Sequence, residues 1–259
     1  MCRFLVYWGK KSINPSKWIL AEKNSLLSQS INDYSARPNP DGWGFAYRNG
    51  KKVELIKNTK PAYEDATFRP TARKIVTDLL FAHVRRRSQG AISLENTHPF
   101  IYNNWMFMHN GNIPDFDLYK TKLAEKISDN YVLQMEGSTD SEFLFRLFIY
   151  WFEHLEDCDV YCALNLIQNI IQDVIHFSSN EDDDMLALNF MLTNGEFILG
   201  FRRNRSLHYA LRPEGLLISS EKIDELSGWQ EVPENHFIVA SNINRVKLIA
   251  LKIHQNKMN

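Results

Sequence analysis

The chain has 259 residues, 44% hydrophobic and 12% aromatic, enough to pack a core in one large domain or two modest ones. Its formal net charge of −1 excludes the basic excess that a nucleic-acid surface normally carries. No uninterrupted apolar run approaches the about 18 residues of a membrane span, and the N-terminus has no basic-then-apolar leader, so an intracellular, cytoplasmic protein is expected, with no membrane partner.

In chain order, "CRFLVYWG" (2–9) reads as a first strand, rich in aromatic and β-branched residues. "GWGFAYRNGKKVELIKN" reads as a hairpin, with an Asn-Gly turn signal between two strand-like runs. The spacing of "RPTARKIVTDLL" (69–80) predicts a helix. "LFAHVRRRS" and "NWMFMHN" read as strands separated by a loop, "QGAISLENTHPFIYN". "PDFDLYKTKLAEKI" enters a helix through Pro114 and acidic residues. "STDSEFLFRLFIYWFEHL" opens with capping candidates and a first-turn Glu, and its apolar core carries Arg146, as a core-facing helix can. "DVYCALNLIQNIIQDVIHF" has apolar residues at helical spacing, and the acidic "SSNEDDD" reads as a solvated connector. From 185 onward strand patterns return: "MLALNFMLTNG", "EFILGFRRN", "LHYALR", "GLLISSE", "HFIVASN" and "VKLIALKI". Strands, then helices, then strands predict an α+β fold with mainly antiparallel sheets. No repeat or Pro/Gly-rich linker divides the chain, so one domain over residues 1–259 is expected.

The three cysteines, Cys2, Cys158 and Cys162, are too few and too uneven for a disulfide framework. His154, Cys158 and Cys162 share a helical stripe, but a fourth metal ligand is not evident, and no metal or other cofactor is expected.

Cys2 is different. If Met1 is removed, Cys2 carries both a thiol and the free α-amine. That amine titrates near ~7.7–8.0, so one residue offers a nucleophile and a base. In "HNG", the Asn110 carboxamide and a neighbouring backbone N–H can form two donors aimed at one oxygen, although Asn-Gly also ends many strands. In "AHVRRRSQG", one Arg held at a strand end can bind a carboxylate in a fork, or the run can be a solvated edge. Strand alternation would put Arg85 and Arg87 on one face and Arg86 on the other. His98 of "ENTHPF" reads alone as a loop residue, and Asp140 of "STDSE" as a helix cap.

Taken in order, "MCRF", "NPDGWGFAY", "AHVR-x-x-S-x-G", "NTHPF", "MHNG" and "TDSE" resemble the class-II glutamine amidotransferases of the N-terminal-nucleophile hydrolase superfamily. The likeness is to the stand-alone subgroup without a fused synthase domain, and "ISSEKIDELSGWQEVPENHFIVA" extends it over nearly the whole chain. The resemblance implies a four-layer αββα sandwich of two mainly antiparallel sheets. It implies Cys2 as nucleophile and Asn110 and Gly111 as oxyanion hole. Arg85 would hold the substrate α-carboxylate and Asp140 the α-ammonium, with Arg86, Ser88 and His98 lining the pocket. Arg86 stands where relatives often carry Trp or Ala, and Ser88 where Thr is usual. Trp43 is expected to pack beside the site. The implied partner molecule is glutamine or a γ-glutamyl compound, and any acceptor or synthase would be a separate chain. The alternatives are an amidohydrolase cutting a γ-glutamyl conjugate directly, and a catalytically silent γ-glutamyl binding or regulatory subunit.

Overall fold

The computed structural model describes residues 2–124, 135–155, 159–178 and 185–252. Two antiparallel sheets lie face to face. The first has seven strands, β1 (Arg3–Ile13), β2 (Trp43–Asn49), β3 (Lys52–Asn58), β4 (Thr77–Val84), β9 (His208–Arg212), β10 (Gly215–Ser219) and β11 (Gln230–Glu231), in the order β11-β9-β10-β1-β4-β2-β3. The second has six, β5 (Phe100–Tyr102), β6 (Trp105–Asn112), β7 (Ala187–Thr193), β8 (Ile198–Arg202), β12 (His236–Asn242) and β13 (Arg245–Ala250), in the order β13-β12-β8-β7-β6-β5. A π-helical turn (Lys17–Ala21), α1 (Leu26–Ile31) and α2 (Phe68–Lys74) cover the first sheet; α3 (Phe116–Ala124), α4 (Asp140–Glu153) and α5 (Val160–Ser178) belong to the other side.

Side-chain alternation along each strand explains the four layers. In β1, Phe4, Val6 and Trp8 point between the sheets, where they meet Met106, Met108 and Met191 of the second sheet. Leu5 and Tyr7 point the other way, onto Trp18, Leu26 and Phe68 of the outer helices. In β6, Phe107 faces outward onto Phe145 and Phe148 of α4. The expected αββα sandwich is therefore what the chain forms.

Several elements differ in detail from the sequence reading. The helix predicted over 69–80 stops at Lys74, and its second half is β4; β-branched Ile75, Val76 and Thr77 mark the change, and Leu79, Phe81 and His83 alternate with outward Leu80 and Ala82. The expected strand "LFAHVRRRS" ends at Val84, so the arginines lie in a loop and strand alternation does not place them. In the first hairpin Asn49 pairs with Lys52, leaving Gly50 and Lys51 as the two-residue turn. Short β5 lies within a segment read as loop, and β11 and the helices before residue 32 carried no clear periodic signal. The acidic connector falls largely outside the described residues, as does Cys158. Among the described residues, no helix is long and apolar enough to cross a membrane.

Candidate active site

Cys2 lies just before β1, where the alternation of Phe4 and Val6 directs its side chain between the sheets. Its sulfur sits against the main chain of Arg86: the thiol donates to the Arg86 carbonyl at 3.3 Å, and the Arg86 N–H approaches the sulfur at 3.4 Å. Burial pushes the Cys2 thiol above its ordinary range; the Arg86 N–H and the nearby Arg85 and Arg3 charges offset this in part. A neutral thiol in this setting needs a base to become a nucleophile.

The main chain around Cys2 is held by a buried ionic network. Arg3 donates to the Cys2 carbonyl at 2.8 Å, to Glu221 at 2.5 Å, and pairs with Asp33 at 3.0 Å. Glu221 also accepts from the Tyr34 N–H and the Asn24 carboxamide. One residue earlier, Ser220 exchanges two hydrogen bonds with the main chain of Phe4. These are functions of "ISSE" and "MCRF" that single-residue motif reading did not assign. Charged residues at fully buried positions are the signal that would have found them, and burial is not readable in sequence.

β4 delivers Arg85. His83 lies on the face of β4 that looks between the sheets, beside the main chain of His109 in β6. Two residues on, Arg85 is buried, its N–H bonded to the Gly42 carbonyl and its own carbonyl accepting from the Asp41 N–H. Its guanidinium donates to the carbonyls of Gln89 and Ala91 at 3.0 Å each, folding residues 85–91 around it. The Asp41 carboxylate accepts from the Arg87 N–H and fixes the same turn from the other side. "NPDG" is thus a clamp on the arginine loop. Gly44 has a second reason: a Cβ there would lie 2.3 Å from the His98 carbonyl, so glycine lets that segment pack onto β2.

β6 delivers Asn110 and Gly111. Asn110 shares the face of Met106 and Met108 and so looks toward β1 and β4, and it is buried opposite Asn189. Gly111 is backed by β7, where a Cβ would meet the Ala187 carbonyl at 1.9 Å. His109 faces the other way, with Nδ1 against the Ser141 hydroxyl at 2.9 Å; burial lowers its pKa and the Asp140 charge opposes that.

Asp140 is the first residue of α4. The cap is its neighbour: the Thr139 hydroxyl accepts from the Glu142 N–H at 3.2 Å. Asp140 instead ties the helix start to the end of β6, accepting the Ile113 N–H at 2.8 Å and the Ser141 N–H at 2.7 Å. Between Arg85 and Asp140 lies Gln89, whose carboxamide donates to the Ile113 carbonyl at 3.0 Å and to Asn112 at 2.8 Å. Arg85, the Gln89 bridge, Ile113 and Asp140 thus form one connected set.

The other expected residues divide. Arg86 and exposed Ser88 line a cleft on the outer side of the arginine loop. His98 sits deeper: it is buried, stacked on His83 at 4.4 Å and edge-on to Phe100 at 4.5 Å. Trp43 packs on the far face of the first sheet, with Phe45 and Phe68, and donates to Asp65 at 2.9 Å. It is not beside the site, because its neighbour Gly44 takes the inward-facing position of β2. Among the described residues, no group of three or more His, Cys, Asp or Glu side chains is placed to hold a metal ion.

The structure thus sets a thiol at a strand start, joins a buried arginine and aspartate through one loop, and puts an Asn-Gly pair on the facing sheet. The family model for class-II glutamine amidotransferases matches residues 24–226, and the chain belongs to that family. It is 39% identical over 160 residues to a probable glutamine amidotransferase of Saccharomyces cerevisiae, covering 58% of this chain and 45% of that protein. It is 24% identical over 245 residues to the γ-glutamyl-hercynylcysteine sulfoxide hydrolase of Mycobacterium tuberculosis, covering 92% of each. The chain spans about half the length of the first curated relatives it matches, 45% and 55%. A class-II glutamine aminotransferase domain protein of Silicibacter pomeroyi superposes with a TM-score of 0.67 at 21% identity, over 97% of this chain and all of that one. The Bacillus subtilis glutamine phosphoribosylpyrophosphate amidotransferase gives 0.67 at 16% identity, over 98% of this chain and 50% of that one, so the fold is shared well beyond recognisable sequence.

Proposed function

We propose that this protein cleaves a γ-glutamyl amide through Cys2, with residues 1–259 acting as one catalytic domain in the cytoplasm. The observation that carries the reading is the placement of a half-buried thiol at the mouth of β1, against the loop that folds around Arg85. In this reading Met1 is removed and the Cys2 amine takes the thiol proton. The sulfur attacks the γ-carbonyl carbon, and the Asn110 carboxamide with the Gly111 N–H receives the developing oxyanion. The C–N bond then breaks, and the α-ammonium returns the proton to the departing ammonia or amine. Water adds to the thioester, the C–S bond breaks, and glutamate leaves. Arg85 binds the α-carboxylate and Asp140 the α-ammonium, which sets the amide at a fixed distance from the thiol. His98, stacked on His83, supports the pocket from behind rather than touching substrate.

Two substrates fit this chemistry. With glutamine, ammonia is released and a separate acceptor or synthase chain would use it, as the family's activity suggests. With a γ-glutamyl conjugate, water is the acceptor and no partner is needed; the hydrolase from Mycobacterium tuberculosis, covered along 92% of both chains, favours this second arm. The test is glutamate release from L-glutamine and a set of γ-glutamyl amides by Met1-free protein, with Cys2→Ala as control. Release that disappears in Cys2→Ala is expected. Release unaffected by that substitution would place the nucleophile elsewhere, and binding without any release would leave a γ-glutamyl-binding subunit instead.

A further inference from the structure

Arg85 and Asp140 stand on different sheets. Arg85 follows β4 of the first sheet, and Asp140 opens α4, tied to the end of β6 in the second. Each is fixed within its own surroundings. The Arg85 guanidinium spends part of its donor fork on the carbonyls of Gln89 and Ala91. Asp140 accepts the Ile113 N–H on one oxygen, and the Ser141 N–H and hydroxyl on the other. The apolar contacts between the sheets, with Met106, Met108 and Met191 among them, are non-directional and do not by themselves fix the spacing of these two groups.

Gln89 joins them. Its main-chain carbonyl accepts from Arg85 at 3.0 Å, and its carboxamide donates to the Ile113 carbonyl at 3.0 Å and to Asn112 Oδ1 at 2.8 Å. A carbonyl only accepts, so the Ile113 contact fixes which end of the carboxamide is nitrogen. Ile113 in turn gives its N–H to Asp140 at 2.8 Å. An unbroken hydrogen-bonded path thus runs from the guanidinium to the carboxylate. Gly90, at φ +69°, lets the loop come this close: a Cβ there would lie 2.9 Å from the Asn96 carboxamide nitrogen and 3.1 Å from the Thr139 methyl. Asn96 ties the loop a second time, donating to the Ala91 carbonyl at 3.2 Å and accepting the Ser138 N–H at 2.8 Å. That tie ends just before the cap of α4, whereas Gln89 reaches the residue that Asp140 itself grips.

We propose that Gln89 is a positioning residue that sets the separation of Arg85 and Asp140, and so makes the pocket select an α-amino acid over the corresponding simple acid. This rests on the reading of Arg85 as the α-carboxylate group and Asp140 as the α-ammonium group of the pocket. A ligand with both charges on one carbon is held by both side chains only at one spacing. A ligand with the carboxylate alone uses Arg85 and is indifferent to where Asp140 stands. Gln89 need not touch the ligand; its effect passes through the two charged side chains.

The test is titration calorimetry of L-glutamate and of glutarate, which lacks the α-amino group, into Cys2→Ala protein, so that turnover and the identity of the amine half do not enter. Gln89→Met keeps the side chain's length and removes its donors. The Asn96 tie and the Arg85 bonds to main-chain carbonyls remain, so this half-buried position tolerates the change. L-glutamate is expected to bind about tenfold more weakly to the Gln89→Met protein, with glutarate changed by less than about twofold. In an Asp140→Asn background the same substitution should cost L-glutamate little more, because the charge it positions is already gone. Equal weakening of both ligands, no weakening of either, or the full further loss on top of Asp140→Asn would overturn the role of Gln89. Arg85→Ala in the same protein separates this from the reading beneath it. L-glutamate binding that falls with Arg85→Ala but not with Gln89→Met refutes the positioning role alone. Binding untouched by Arg85→Ala refutes the pocket assignment, and the positioning role with it.

Discussion

Burial pushes the Cys2 thiol above its ordinary range. In the proposed mechanism the Cys2 α-amine takes the thiol proton, so kcat/KM should rise about tenfold per pH unit at acid pH and level off above ~8, where that amine is free. A flat profile from pH 6 to 9 would contradict the amine's role. The Arg3–Glu221–Asp33 network has no contact with substrate in this account, yet it fixes the Cys2 carbonyl. Glu221→Gln leaves Arg3 buried with Asp33 as its remaining carboxylate, a loss of about 3 kcal/mol in urea unfolding, with kcat falling more than KM rises. Gly111→Ala forces a methyl to within 1.9 Å of the Ala187 carbonyl, so it should cost about 1–3 kcal/mol of stability as well as activity.

Elements carry the site by their ends: the start of β1, the ends of β4 and β6, and the first turn of α4. The last of these makes a separable prediction. Thr139 caps α4 through its hydroxyl, so Thr139→Ala should lower stability by about 1 kcal/mol with a smaller change in KM than Asp140→Asn, which should raise KM with a smaller effect on stability. Much of this was legible in sequence because the motifs fall at element ends, where turn and cap residues are informative. Thr139 and Glu142 mark the start of α4, and the register of β2 with β3 follows from its glycine turn. What failed has local causes. Apolar spacing in 75–80 suits a helix and a buried strand equally, and burial on both faces of the sheet made it β4. Arg85, Arg86 and Arg87 look equivalent in a run of three. Their separation into a buried fork, a half-buried cleft wall and an exposed residue comes from the Asp41–Gly42 clamp more than 40 residues away. Long-range contacts of this kind, like Glu221 on Arg3, are set by topology and leave no periodic trace.

For the whole molecule, three histidines buried between or beside the sheets dominate the expected response to acid. Burial holds His83 down to about 3 and His98 well below its ordinary value, with His109 lowered as well. All three fold in the neutral form, while in the unfolded chain each takes up a proton below about 6.5. Their contribution is therefore complete above pH 6.5 and is lost as pH falls toward the folded values. Between pH 7 and 5 the loss is about 2 kcal/mol for His83, whose folded value of about 3 lies below that window, and His98 adds a loss in the same direction. Urea unfolding at the two pH values should show it, and His98→Phe should make the loss smaller. Stability that is unchanged between pH 7 and 5 would mean that these rings are solvated.

The central claim is that Cys2, freed of Met1, is the nucleophile of a γ-glutamyl transfer. Its most direct test is mass spectrometry of the N-terminal peptide after a rapid acid quench during turnover of a γ-glutamyl amide. The account predicts a glutamyl thioester on Cys2, found on chains that have lost Met1 and absent from chains that retain it. A covalent glutamyl group on any other residue, or the same rate of turnover from Met1-retaining protein, would contradict it.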